Sequence, residues 1–330
     1  MADADERLRR ARHSDRADAM DMISFGSVFL ELVFGHVPAP PEPGQEIFAD
    51  DFAVSVGGAV TSATAAARSG ARVGLCTVLG DDLGGRVVTG HCRREGIDLS
   101  PSVLVPRRAT GITMVLNYEG DRSFVTYVPP HPAHESPELA RWAEVLRRYR
   151  PSWCYVHAGV GVTEFLQAAR QQGTRILLDV SLNAIARCSQ AVLDCVPLAD
   201  VFVPNQAELI ALTAVGSLRP AVSAASGWGT PVVVKLGAAG ALLVGPDGVA
   251  EVTEGVTAVE VRDLTGAGDS FAGAVIGELL RGVPLARAVV AGNRAGAEAA
   301  GRLGAVGPVE VAGFSPSLPG TGGSDQEHAL

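Results

Sequence analysis

Short apolar or β-branched runs alternate with longer alanine-rich stretches of helical period along most of the chain. The runs predict strands over 22–28, 72–78, 152–157, 175–180, 200–203, 231–236 and 241–244. The periodic stretches predict helices over 58–69, 82–95, 138–148, 163–172, 205–213, 266–281 and 285–300. Alternation of this kind belongs to an α/β fold with a parallel sheet covered on both faces. Two strand-like stretches, 50–56 and 110–128, have no helix between their parts. Within the second, 111–118 and 122–128 flank Glu119-Gly120-Asp121, a hairpin signal. Open α/β sheets bind ligands beyond the carboxyl ends of their strands, and a small β-layer inserted early is placed to cover that edge as a lid. A plain extension of the main sheet satisfies the same pattern.

Composition narrows the class. The 330 residues are 47% hydrophobic and 19% charged. A chain of that length buries roughly three-quarters of its unfolded surface, so no disulfide or metal staple is needed. The net charge of −9, with no basic cluster, excludes a nucleic-acid track. The five cysteines contain no C-x-x-C pair, which excludes a zinc ribbon and fits a reducing compartment. No apolar run reaches about 18 residues and the start carries no apolar leader, so a cytoplasmic protein without a membrane partner is expected. Residues 1–21 are a charged mixture, expected to be a disordered arm, and the Gly/Ser/Pro-rich 315–330 a disordered tail. One domain is expected over 22–314, with lid segments near 31–56 and 107–128.

Chemistry concentrates in Asp263-Leu264-Thr265-Gly266-Ala267-Gly268-Asp269-Ser270-Phe271. A β-rich stretch is predicted to end near Arg262, two glycines make a tight turn, and a helix begins. The N–H groups of Gly266, Ala267 and Gly268 then converge at a helix N-terminus, a ready anion site. Asp269 in the first turn is favoured by the helix dipole and stays ionised. Phosphoryl transfer needs such a pair: amides hold charge on the transferring oxygens, and the carboxylate takes the proton of the attacking hydroxyl. A plain cap after a glycine turn accounts for four such letters, not nine in a row. The only lysine lies in Val234-Lys235-Leu236 and no G-x-G-x-x-G occurs, so Walker A and dinucleotide-binding fingerprints are both missing.

The segment DLTGAGDSFAGA resembles the C-terminal signature of the PfkB/ribokinase family of carbohydrate and nucleoside kinases. Gly57-Gly58-Ala59-Val60-Thr61-Ser62-Ala63, followed by Gly70 and Gly80, is similar to its N-terminal signature. Gly80-Asp81-Asp82-Leu83-Gly84-Gly85, Asn205-Gln206-Ala207-Glu208, Lys235-Leu236-Gly237-Ala238-Ala239-Gly240 and Ala291-Gly292-Asn293 also match in order, so the resemblance covers about residues 22–314. It implies a ribokinase-like three-layer αβα sandwich with a small β-sheet lid, and ATP with Mg2+ as donor, with a monovalent cation such as K+ as a further candidate. The acceptor it implies is a hydroxymethyl group of a sugar, a sugar-like molecule or a nucleoside. By the same resemblance Asp269 is the base and Gly266, Ala267 and Gly268 the anion hole. Asn205 and Glu208 would order magnesium, Glu208 through water, and the single helical turn between them points both the same way. Asn205 also suits a helix N-cap, and the two roles are compatible. Lys235, Gly237, Gly240, Thr265 and Asn293 fall on nucleotide-binding positions, and Glu31, Gly57, Gly58 and Thr61 on acceptor positions.

The departures cluster on the acceptor side. Glu31 stands where the family usually has aspartate, Thr61 where it has asparagine, and Asp179-Val180-Ser181-Leu182-Asn183 loses the arginine of D-P-N-x-R. Beside an intact donor side, these predict an unusual acceptor. The glycine pair lacks the adjacent lysine of members that take phosphorylated sugars, which favours an unphosphorylated one. Two rivals are weaker. Gly268-Asp269-Ser270-Phe271 also resembles a GDS-type esterase block, but it sits late in the chain, and its partner Asp325-Gln326-Glu327-His328 lies in the tail. A silent nucleotide- or sugar-binding protein would have no use for Asp269. His131 and His134 read as solvated loop residues, His157 as a buried hydrogen-bonded imidazole, and Cys76 and Cys154 as core. Ile112, Met114 and Leu116 give the hairpin one apolar face, which predicts a homodimer through the lids.

Overall fold

The computed structural model describes residues 20–119, 121–129, 137–245, 250–253, 255–256 and 260–311. The expected disordered arm (except Met20 and Asp21) and tail, Gly120, His131 and His134 lie outside them. In chain order the strands are β1 (Met22–Phe25), β2 (Val28–Gly35), β3 (Asp51–Gly58), β4 (Val73–Cys76), β5 (Val78–Gly80), β6 (Val103–Val105) and β7 (Gly111–Asn117). There follow β8 (Arg122–Tyr127), β9 (Trp153–His157), β10 (Arg175–Asp179), β11 (Val201–Phe202), β12 (Val232–Lys235), β13 (Ala241–Val244) and β14 (Ala250–Thr253). The helices are α1 (Ala59–Arg68), α2 (Leu83–Arg94), α3 (Pro137–Tyr149), α4 (Val162–Gln171) and α5 (Leu182–Cys195). They continue with α6 (Gln206–Thr213), α7 (Leu218–Ala225), α8 (Ala267–Leu280) and α9 (Leu285–Ala300).

The main sheet runs β14-β13-β12-β11-β10-β9-β1-β4. It is parallel from β4 to β12, and β13 and β14 add an antiparallel edge. Its strands feed two cores by the two-residue period of a strand. Ile23, Phe25, Cys154, Val156, Ile176 and Leu178 pack on one face, against side chains of α3 to α7. Met22, Trp153, Tyr155 and Leu177 pack on the other, against α1, α8 and α9. Helix, sheet and helix give the expected three layers. Cys76 and Cys154 are buried there as expected.

The inserted β-layer is a sheet of its own, β3-β2-β7-β8, and not an extension of the main one. The predicted strand over 22–28 therefore splits. It leaves the main sheet after Phe25, passes Gly26 and Ser27, and enters the second sheet as β2. Ser27 C=O accepts from Ala59 N–H at 3.0 Å, tying that crossing to the start of α1. The hairpin over 111–128 forms as β7 and β8, with Asn117 opposite Arg122. Val33, Ala53, Val115 and Leu303 close a small core under this sheet. Residues 260–262, just before Asp263, are not in a strand. Instead Arg262 and Asp263 N–H groups both donate to Ala300 C=O, at 2.8 and 3.1 Å, so the end of α9 satisfies them. No single helix among the described residues is long and apolar enough to cross a membrane.

Candidate active site

Parallel strands present their last residues at one edge, and here those residues are charged. His157 ends β9, Asp179 ends β10 and Lys235 ends β12. Lys235 Nζ donates to both Asp179 oxygens, at 3.0 and 2.9 Å. Desolvation opposes the ammonium, but Asp179 and Glu208 outweigh it and raise its pKa. The start of α8 comes up against this pair. Gly266 caps the helix at φ 74°, in the left-handed region that favours glycine. A Cβ on Gly268 would lie 3.2 Å from Lys235 Nζ, so the ammonium stands directly beside the glycine turn. Ala267 N–H also reaches Leu264 C=O at 3.3 Å. Glycine turn, helix N-terminus and lysine together gather N–H donors and positive charge in one corner.

Asp269, one residue on, is 25% exposed at its side chain. Tyr155 O–H donates to its Oδ1 at 2.5 Å, and His157 Nε2 lies 3.4 Å from the same oxygen. Burial opposes the charge, but the bond to His157, the bond from Tyr155 and the nearby Lys235 override it, so the pKa of Asp269 is lowered. The His157 side chain is 46% exposed, contrary to the buried imidazole expected. Its place at the mouth of the site, rather than inside a layer, is the reason. Tyr155, His157 and Asp179 are not among the site residues expected from sequence. The signal that could have found them is the rule that ligands meet the carboxyl ends of parallel strands.

Asn205 and Glu208 form a reciprocal cap on α6. Asn205 Oδ1 accepts from Glu208 N–H at 2.9 Å and Glu208 Oε2 from Asn205 N–H at 2.7 Å. The cap leaves the other Glu208 oxygen for other duties. Burial and the Asp179 charge, partly offset by Lys235, push Glu208 up to about 7. Lys235 offsets only part of that cost, and a carboxylate oxygen donor of this kind fits Mg2+. Gly237 and Gly240 shape the turn after Lys235, at φ 61° and 91°. Asn293 on α9 reaches Thr253 C=O at 3.5 Å, at the end of β14. Thr265 is buried with a hydroxyl that has no partner, and Thr265 N–H donates to Asp263 Oδ1 at 2.8 Å.

On the opposite side the second sheet brings Glu31. It is 5% exposed, and its Oε2 accepts from Ala305 N–H at 3.1 Å. It lies so close over Gly57 that a Cβ there would overlap its Oε1. Gly58, at φ 79°, caps α1 and has no room for a Cβ against Ser27 C=O. Burial, with the charges of Asp263 and Asp269, raises Glu31 to about 7 despite the Ala305 bond. Thr61 is buried with an unpartnered hydroxyl. Ser270, the esterase candidate, is buried in α8, and its tail partner lies outside the described residues.

The architecture is that of ribokinase-like αβα sandwiches, with a charged site where the second sheet meets the carboxyl edge of the first. Residues 29–312 match the pfkB family of carbohydrate kinases, and the chain belongs to that family. It is 27% identical to a ribokinase of Haemophilus influenzae over 85% of this chain and 92% of that protein. It is 26% identical to a cytidine kinase of Thermococcus kodakarensis, over 78% and 91%. Among solved structures it superposes on a ribokinase of Cryptococcus neoformans in complex with ADP, with TM-score 0.71 and 23% identity over 87% of this chain and 96% of that one. The chain is a sugar or nucleoside kinase.

Proposed function

We propose that this chain transfers the γ-phosphoryl group of ATP to a hydroxymethyl group of an unphosphorylated sugar or sugar-like acceptor. The observation that carries the reading is the meeting of Asp269, the Gly266–Gly268 turn and Lys235 within one corner, faced by Glu31 from the second sheet. Asp269 takes the proton of the acceptor hydroxyl as that oxygen attacks phosphorus. The Gly266, Ala267 and Gly268 amides and Lys235 hold the charge on the transferring oxygens. Gly237, Gly240, Thr265 and Asn293 line the nucleotide side. Glu31, Gly57, Gly58 and Thr61 position the acceptor. Asn205 and Glu208 would hold Mg2+ through water, and when bound it neutralises charge on the phosphates. The unpartnered Thr265 hydroxyl beside Asp263 supplies donors suited to a monovalent cation such as K+. The second sheet acts as a lid, excluding the water that competes with the acceptor.

A screen of sugars and nucleosides for acceptor-dependent ADP release tests the reading. Asp269→Asn should lower kcat by ~10²–10⁴ while ATP binding survives. Near-full turnover in that variant would remove Asp269 as the base. Preference for a nucleoside over every free sugar would move the acceptor to the nucleoside class.

A further inference from the structure

Phosphoryl transfer to a hydroxyl liberates one proton, and the site contains a path for it that the transfer itself does not use. We propose that Tyr155 and His157 form a proton exit from Asp269, with Tyr155 as the link and His157 as the group that meets solvent. The inference rests on the proposed phosphoryl transfer. Tyr155 is wholly buried, and its one hydroxyl proton has three neighbours. Asp269 Oδ1 is at 2.5 Å, His157 Nε2 at 2.9 Å and Asp179 Oδ2 at 3.2 Å. The shortest contact goes to the base. Asp179 is already neutralised by Lys235, so it makes no comparable demand on the proton. The line from base to phenol to imidazole therefore runs from the interior to an imidazole that is 46% exposed. Both partners meet Oδ1 of Asp269, which leaves Oδ2 for the acceptor hydroxyl.

The proton balance closes over one turnover. The acceptor O–H bond breaks as the O–P bond forms and the bond to ADP breaks, and the proton lands on Asp269. The imidazolium of His157 then no longer faces a carboxylate and sheds its Nε2 proton to water, which leaves Nδ1–H and an open Nε2 lone pair. The Asp269 carboxyl turns to bring its proton to the Tyr155 side and resets by passing it to the Tyr155 oxygen as Tyr155 passes its own to His157 Nε2. One proton enters from the acceptor and one leaves to solvent. The charged and titratable groups around His157 are Tyr155 on its own strand, Asp179 from β10, Asp269 from α8, Lys235 from β12 and Glu208 from α6. Desolvation disfavours the imidazolium, but the Asp269 bond and the Asp179 and Asp269 charges outweigh it and raise its pKa despite Lys235. That direction favours the imidazolium whose proton the cycle releases.

Two measurements test this, and one does not need turnover. With 15N-labelled histidine, the His157 resonance is assigned by its loss in His157→Gln. Its titration midpoint should then move down in Asp269→Asn; an unmoved midpoint would overturn the pairing even if no acceptor were ever phosphorylated. With the best acceptor, the acid limb of the kcat–pH profile should move to higher pH in His157→Gln, because Asp269 loses the bond that lowers it, with the KM for ATP unchanged. The rate of His157→Ala should fall about tenfold, a fraction of a full general-base effect, and free imidazole should restore it. An acid limb that stays in place, or no rescue by imidazole, sinks the exit path. Tyr155→Phe should lower kcat likewise. Because that phenol is buried, the exposed His157 variants decide the question if the Phe variant fails to fold. Activity abolished in Asp269→Asn but untouched in both His157 variants would leave the kinase reading standing and remove this one.

Discussion

Replacing Lys235 by methionine separates what that residue does for the fold from what it does for phosphate. The Asp179 carboxylate is 3% exposed and both of its oxygens lie on the ammonium. Without the lysine it keeps, among the described residues, the Val180 N–H at 2.8 Å, because the Tyr155 hydroxyl proton is held by Asp269 at 2.5 Å. Removing one partner of a buried ion pair costs about 3–5 kcal/mol, because a charge is left without compensation. The remaining backbone donor places this case near the lower figure. At about 2 °C per kcal/mol for a chain of this size, the melting temperature should fall by roughly 6 °C. Adding Asp179→Asn to Lys235→Met should recover most of the stability, but not turnover, because the corner beside Gly268 still lacks its cation. Calorimetric melts, paired with turnover, read both halves. A Lys235→Met variant that melts with the wild type, or no recovery in the double variant, would refute the argument.

Glu31→Gln should become progressively more stabilising as pH rises. The wild-type carboxyl goes from 4.5 unfolded to about 7 folded, so its penalty is absent below the first value, grows between them and is complete above the second; parallel melting curves across that range would contradict it. Gly266→Val should abolish turnover, since the φ of 74° strains any side chain and a Cβ would meet Ala305 Cβ at 2.6 Å; normal activity would remove the glycine-turn assignment. Ile112, Met114, Val125 and Tyr127 share the outer face of β7 and β8 and are exposed, and they should join two copies into a homodimer. Light scattering should give twice 34.0 kDa for the wild type and a single chain for Met114→Glu; a wild-type monomer would defeat that expectation.

What the chain pattern reveals and what it hides follow from period and length. Helix α9 is predicted over 285–300 and observed as Leu285–Ala300, because its small residues keep one period throughout. Helix α5 is absent from the predicted set: it carries a non-helical Cys188 in its middle, which breaks the period into pieces too short to register. Strand β2 is hidden for a different reason. Its pattern of buried and half-buried residues continues the apolar run of β1, and only the backbone crossing at Gly26 and Ser27 shows that the chain has changed sheets. The Asp263–Asp269 segment is legible because its chemistry is local. Glu31 reaches the site only through the pairing of β2 with β3 and β7, and its contact with Ala305 spans most of the chain.

The same long-range assembly decides the charge of the site. Asp179, Glu208, Glu31, Asp263 and Asp269 converge from four strands or helix ends and one loop, yet Lys235 is the only lysine in the chain. That lysine pairs directly with Asp179 and only partly offsets the burial of Glu208, and Glu31 and Glu208 are both raised to about 7. Burial costs such carboxylates their charge unless something positive arrives. On the proposed reading, a highly anionic nucleotide enters this site only in company with cations, and those cations also restore the Glu208 carboxylate to its ionised form. On the same reading, lowered Asp269 and raised Glu208 are two consequences of one distribution: His157, Tyr155 and Lys235 override the burial of the base, while Lys235 and His157 only partly offset that of Glu208. A bound metal would favour the ionised Glu208, whereas Asp269 has its positive partners before either substrate binds.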